Sequence, residues 1–389
     1  MVKIYIVIIV TAVLFISCGG KKEQDTGNKI DTLNQKKDVP QKKDEQEKFT
    51  LKDFLKDNSS LDSKVNDKFN SLSPEERVSQ MIVTSCGENG KPRSEVIGLI
   101  KEKKVGGVIL LKGSKESLSS LIEELKKVNY ETHALPLIFS CDAEPSLINN
   151  RISGISNVTH TEKINSVEQS QKTAEQVTNI IKDIGFNQNF APVCDLGFNK
   201  EIIGDRSFGT DEKKITELAN AYIKKTQELN IAATAKHFPG HGYVKGDSHK
   251  ELIFIDNKLH ELDIFKNVID NGVISVMVGH IAIRNNEEFN TEGYPASLSG
   301  KVITGLLKGK LGFKGIVITD AMNMGALNKF EHPSLTAVKA GCDMILMPTD
   351  ETKLLNSILN EMKTDKAFEE QVNNSVKKII KLKYCLGLL

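Results

Sequence analysis

The sequence predicts an α/β protein built on one (β/α)8 barrel, preceded by a short apolar leader and a charged tether. Three observations carry that prediction. Eight short apolar runs recur along the chain from Leu72 onward, amphipathic Lys/Glu-rich stretches separate most of them, and ionisable residues gather just after several of the runs. Short continuous apolar strands alternating with helices imply a parallel sheet buried on both faces. Eight such units imply a closed TIM barrel. An open doubly wound sheet is the alternative, but no glycine-rich phosphate loop comes after the first run.

The leader comes first. Lys3 precedes an apolar run over residues 4–16. This run is short for a bilayer-spanning helix and has the length of a signal-peptide core. It ends in Phe15-Ile16-Ser17-Cys18-Gly19, which resembles a bacterial lipobox, although Phe15 stands where Leu is usual. The expectation is cleavage after residue 17 and lipidation of Cys18, giving an exported, membrane-anchored lipoprotein. An ordinary secretion signal, with Cys18 incidental, is the alternative. Residues 19–48 mix both charge signs with almost no large apolar side chains. Such a segment buries too little surface to offset its ordering entropy. The expected organisation is a signal peptide over 1–17, a flexible tether over 18–60 and the barrel over 61–389. Residues 50–70 are weakly helical and ambiguous.

The apolar runs come next, in chain order. They are Met81-Ile82-Val83, Gly107-Val108-Ile109-Leu110, Leu137-Ile138-Phe139, Phe190-Ala191-Pro192, Ala232-Ala233-Thr234-Ala235, Ser275-Val276-Met277-Val278, Ile316-Val317-Ile318 and Met344-Ile345-Leu346. Helical patterns cover 114–128, 167–184, 212–230, 300–311 and 332–340, and a last helix over 368–383 closes the ring. Cys86, Cys141, Cys194, Cys342 and Cys385 are scattered, mostly in apolar runs, and read as buried small hydrophobes. With 52 Lys and Arg against 51 Asp and Glu, the charge balance gives no reason to expect a nucleic-acid partner. No protein partner is inferred.

Chemistry-bearing residues sit just beyond the runs. Asp142 comes after the third, Asp195 and Arg206 after the fourth, and Lys236, His237, His241, Asp247 and His249 after the fifth. His280 comes after the sixth and Asp320 after the seventh. In a barrel these points share the C-terminal face, where barrel enzymes place their active sites. No C-x-x-C spacing or third metal ligand accompanies them, so neither a metal nor an organic cofactor is expected.

Four segments together resemble glycoside hydrolase family three, in its single-domain bacterial β-N-acetylglucosaminidase form. They are Lys236-His237-Phe238-Pro239-Gly240-His241-Gly242 with Asp247-Ser248-His249, Asn189 to Asp195, Gly204 to Gly209, and Thr319-Asp320-Ala321-Met322-Asn323-Met324. The resemblance implies that Asp320 is the nucleophile, His249 the general acid/base and Asp247 its charged partner. It implies that Asp142, Arg206, Lys236 and His237 bind sugar hydroxyls. The chemistry is sensible in its own right. An imidazole with an ordinary pKa near 6.5 can donate and then accept a proton near neutral pH. The bland alternatives are that Asp320 caps a helix and that Lys236 and His237 brace the barrel. His280 reads as a core hydrogen-bonding residue, His241 as a loop stabiliser and Asp195 as a structural holder of Arg206.

Two departures stand out. Where relatives read Asp-x-Glu-Gly-Gly-x-Val-x-Arg after the third strand, this chain reads Asp142-Ala143-Glu144-Pro145-Ser146-Leu147-Ile148-Asn149-Asn150, with Arg151 one place late. Ala321 stands where relatives often carry a second Asp. The implied activity is retaining removal of β-linked N-acetylglucosamine, from muropeptides or related glycans. A phosphorylase of the same family and a non-catalytic glycan-binding lipoprotein are the rivals. There is no Trp, so any sugar-stacking platform must be Phe, Tyr or absent.

Overall fold

The computed structural model describes residues 47–389. The apolar leader, Cys18 and the tether up to residue 46 lie outside the described residues. The barrel strands are β1 (Ile82–Cys86), β2 (Gly107–Leu110), β3 (Ile138–Cys141), β4 (Gln188–Asn189), β5 (Ala232–Phe238), β6 (Ser275–Val278), β7 (Ile316–Thr319) and β8 (Ile345–Leu346). They lie side by side in chain order, every pair parallel, and β8 returns to β1 through Ile82↔Ile345 and Val83↔Leu346. An isolated bridge, Ile318↔Met344, joins β7 to β8 and closes the ring. The strand residues are buried throughout, as expected of a sheet covered by helices outside and filled by its own side chains inside.

The eight runs read from the sequence locate the eight strands, with one shift. The fourth strand is short, and the run Phe190-Ala191-Pro192 lies just beyond it. Pro192 has no N–H to give a ladder. Pairing continues through carbonyls instead: Thr234 N–H donates to the Ala191 carbonyl at 3.0 Å and Lys236 N–H to the Pro192 carbonyl at 3.2 Å. The segment over 300–311 is helical, but Lys301–Lys310 winds as a π-helix, which apolar spacing does not reveal.

The packed body begins at Glu47, not at residue 61. Leu51–Phe54 and Ser59–Asn70 are helices laid against the last helix, Lys366–Cys385. Leu61, Val65 and Phe69 recur every four residues, form one face and are buried. Each such burial contributes roughly 1.5–3 kcal/mol. The polar residues between them disguise this face in the sequence.

Beyond β5 the chain makes a loop over residues 239–252 and then a short strand, Ile253–Asp256. That strand pairs in parallel with Ile281–Arg284, just beyond β6. The loop is therefore fixed at both ends, by the barrel on one side and this outer pair on the other.

Candidate active site

The C-terminal ends of the strands surround a cavity of about 420 Å³. Asp142, Arg206, Lys236, His237, His249 and Asp320 all line it. Asp247 lies behind His249. The structure thus brings together, from five separate segments, the residues singled out in the sequence.

The floor on the β3–β5 side is an alternating charge network. Lys236 Nζ donates to Asp142 Oδ1 at 2.8 Å and pairs with Glu144 Oε1 at 2.5 Å. Arg206 grips Glu144 with Nε and Nη2, both at 2.8 Å. Arg151 Nη1 lies 2.7 Å from Asp142 Oδ2. Burial would raise both carboxyls, but Lys236 and Arg151 hold Asp142, and Arg206 and Lys236 hold Glu144, well below the usual carboxylate range. The two carboxyls are held in their charged forms among directional donors, as recognition of a polyhydroxylated ligand requires.

One expectation changes here. Glu144, not Asp195, holds Arg206. Asp195 is fully buried and holds the β5 end: its Oδ2 accepts from His237 Nδ1–H at 2.7 Å and from His237 N–H at 3.0 Å, and its Oδ1 from His241 N–H at 2.8 Å. His237 Nε2 lies 3.5 Å from Arg206 Nη2. The late Arg151 also arrives. A single helical turn, Ile148–Arg151, carries its guanidinium back to Asp142, and Ser146 Oγ–H braces the turn by donating to the Asp205 carbonyl at 2.7 Å.

Asp320 ends β7. Its backbone N–H donates to the Val278 carbonyl, and its Oδ1 accepts from Ala321 N–H at 2.8 Å. It caps no helix. Burial would raise this carboxyl, but His237, His280, the Ala321 N–H and Lys236 outweigh it and keep the group below its ordinary value. Burial lowers the pKa of His280; its Nε2–H donates to the Ala321 carbonyl at 3.0 Å, and its Nδ1 lies 2.7 Å from Ser297 Oγ.

His249 sits on the loop after β5. Its Nδ1–H donates to Asp247 Oδ1 at 2.8 Å, and the same oxygen accepts its backbone N–H at 2.9 Å. The Nδ1 contact fixes the ring and leaves Nε2 free. The side chain is 58% exposed, so that nitrogen is open to a ligand. The His249 carbonyl accepts from Gly325 N–H at 3.0 Å, tying this loop to the one after Asp320. A Cβ at Gly325 would stand 2.7 Å from that carbonyl, so the approach needs glycine. His241 Nε2 meets Ser248 Oγ at 2.8 Å inside the same loop, and burial, with His237 as the next cause, drops its pKa to about 4.

Sequence reasoning missed two acids, Glu144 in the wall of the cavity and Glu261 beneath the loop after β5. Glu144 had a signal, since it stands two residues after Asp142 and both can face one mouth. Glu261 had none, being twelve residues beyond His249 at the head of a helix, yet its Oε1 accepts from Gly242 N–H at 2.9 Å. Glu144→Ala is expected to strand Arg206 and part of Lys236 without a counter-charge. Removing one partner of a buried pair costs about 3–5 kcal/mol. Chemical unfolding at neutral pH should show that loss, and an unchanged midpoint would contradict the network described here.

A closed parallel barrel with an ion-paired recognition floor, a charged carboxylate on one strand end and an imidazole–carboxylate pair on a facing loop is the apparatus of a glycoside hydrolase. The chain belongs to glycosyl hydrolase family 3, whose N-terminal domain its residues 73–382 match. It is 30% identical over 263 residues to a β-hexosaminidase of Photobacterium profundum, covering 64% of this chain and 76% of that protein. Among solved structures it is similar to a family 3 β-N-acetylglucosaminidase of Paenibacillus sp. FPU-7, with a TM-score of 0.75 and 29% identity over 82% of this chain. The match covers 63% of the Paenibacillus protein's length. A β-glucoside phosphorylase has the same barrel, with a TM-score of 0.76 at 22% identity, over 85% of this chain and 62% of that one.

Proposed function

We propose that the protein is a retaining exo-β-N-acetylglucosaminidase acting on β-linked N-acetylglucosamine in peptidoglycan fragments or related glycans. The observation that carries this reading is the pairing of an ionised Asp320 with the His249–Asp247 dyad across one pocket. The names of the Photobacterium and Paenibacillus relatives support the sugar class.

In the first step, Asp320 attacks the anomeric carbon and the bond to the leaving oxygen breaks. His249, as imidazolium, gives its Nε2 proton to that oxygen. Asp247 stabilises the imidazolium and holds the ring, as a carboxylate does for other catalytic histidines. In the second step, water attacks the glycosyl ester, His249 takes a proton from the water, and Asp320 leaves as carboxylate. The usual carboxyl–carboxyl spacing of retaining enzymes does not apply, because the donor is an imidazole. Asp142, Lys236, Arg206 and His237 bind hydroxyls and hold the anomeric carbon against Asp320. The altered loop after β3 motivates the non-catalytic rival, and the return of Arg151 to Asp142 weakens that motive.

Turnover of an aryl β-N-acetylglucosaminide against an aryl β-glucoside, each with and without phosphate, tests the reading. Preference for the acetamido sugar with no phosphate dependence is expected. Glucoside preference, phosphate-dependent turnover, or binding without turnover would each replace it.

For location, the reading is a lipoprotein anchored through Cys18. Each buried CH₂ of an acyl chain contributes about 0.8 kcal/mol, so several chains anchor firmly. Cys18→Ala should shift the protein from the membrane fraction to a soluble or unprocessed form. Unchanged fractionation and processing would count against the anchor.

A further inference from the structure

We infer that Glu261 is a positioning residue for the loop that carries Asp247 and His249, holding that loop in place through the backbone at Gly240 and Gly242. The proposal rests on the reading of His249 as acid/base.

Glu261 lies at the head of the helix Leu262–Asp270, outside the pocket, and only 2% of it is exposed. Its side chain turns under the loop. Oε1 accepts from Gly242 N–H at 2.9 Å. The second oxygen lies against Gly240, where an added Cβ would collide with it. Gly242 in turn presses on the loop after β4, where a Cβ would collide with the Leu196 carbonyl. The Gly242 carbonyl accepts from Asn199 N–H at 2.7 Å, and Asn199 Nδ2–H donates to the Gly246 carbonyl at 3.1 Å. One carboxyl group therefore sits where the loops after β4 and β5 meet. Beyond it the chain runs directly into Asp247 and His249.

The chemistry of this acid is unusual for a structural brace. Among the described residues no lysine, arginine or histidine pairs with it. The charged group that acts on it is Asp195, from the loop after β4, which repels a second negative charge. His237 and His241, from β5 and its loop, are the nearby titratable rings; the His237 ring contacts Asp195 and the His241 ring contacts Ser248, neither Glu261. His260, on its own segment, stacks under Tyr243. Burial, then Asp195, push the Glu261 carboxyl up to about 8. A folded-state pKa above the ordinary value means that the closed loop is favoured while the acid is protonated. That preference is complete below the ordinary carboxyl range and is lost as pH rises through about 8.

The consequence is read in the step that needs His249 as base. With an activated aryl substrate, kcat reports breakdown of the glycosyl ester. For the wild type, kcat should hold steady above neutrality and then fall about tenfold per pH unit beyond about 8. Glu261→Gln keeps the shape and the acceptor for Gly242 N–H but cannot ionise. It should retain kcat within about threefold at pH 7 and lose the alkaline fall. Glu261→Ala should lower kcat by about 10–100-fold while leaving kcat/KM for the activated substrate largely intact, because that step needs little protonation. An alkaline fall of the same midpoint in the Gln variant, no such fall in the wild type, or an Ala variant with unchanged kcat would overturn the proposal. If the Ala variant does not fold, the Gln profile decides. Failure of the underlying acid/base reading shows separately, as unchanged kcat in His249→Ala.

Discussion

Asp320→Asn is expected to lose turnover by a factor on the order of 10⁴ or more, for every substrate, while the protein folds and still binds product. Loss of a covalent nucleophile has effects of this size in other hydrolases. The substitution is nearly isosteric. Its amide oxygen can still accept the Ala321 N–H that Asp320 Oδ1 accepts at 2.8 Å, so the end of β7 keeps its shape. What disappears is the charge. In the wild type, burial works against ionisation, yet His237, His280, the Ala321 N–H and Lys236 keep the carboxylate charged. A charged oxygen at this point can attack an electron-poor carbon, and a neutral amide is a far poorer nucleophile. Steady-state turnover, with circular dichroism to check folding, measures the effect. A well-folded variant with full activity would remove the basis for a retaining mechanism.

His249→Ala should reduce kcat/KM by about 10²–10⁴-fold for substrates with poor leaving groups, the usual contribution of a positioned acid/base. Activated aryl substrates should lose much less in kcat/KM, because a good leaving group departs without a proton. Their kcat should nonetheless fall, since water attack on the glycosyl ester still needs the base. The side chain is largely solvent-exposed apart from its bond to Asp247, so its removal should cost little stability. Equal losses across leaving groups would show that His249 is not the acid.

Much of the fold and site is legible in the sequence because a barrel writes its pattern plainly. Each buried strand is a short apolar run, and the residues just after each run must lie on the barrel's C-terminal face. That rule alone gathers Asp142, Arg206, Lys236, His237, His249 and Asp320 into one mouth. The hidden features depend on contacts between segments distant in the chain. Arg206 can pair with Asp195 or Glu144 as far as spacing goes, and only the fold shows Asp195 turned toward His237 and His241. Arg151 stands one place late, and a single helical turn absorbs the shift. Glu261 reaches the loop from a neighbouring helix, a relation that spacing does not encode. The packing of residues 47–60 is hidden because its buried residues Phe49, Leu51 and Phe54 are few and set among polar ones.

Asp320 forming a covalent bond to the sugar is the step on which the proposed mechanism stands. The most direct measurement is to trap the wild-type enzyme with a slow fluorinated N-acetylglucosaminide, digest it, and map the added mass by mass spectrometry. One glycosyl label per chain is expected, on the peptide that contains Asp320, with no label in Asp320→Asn. A label on Asp142, Glu144 or Asp195, or full turnover with no covalent adduct, would contradict it.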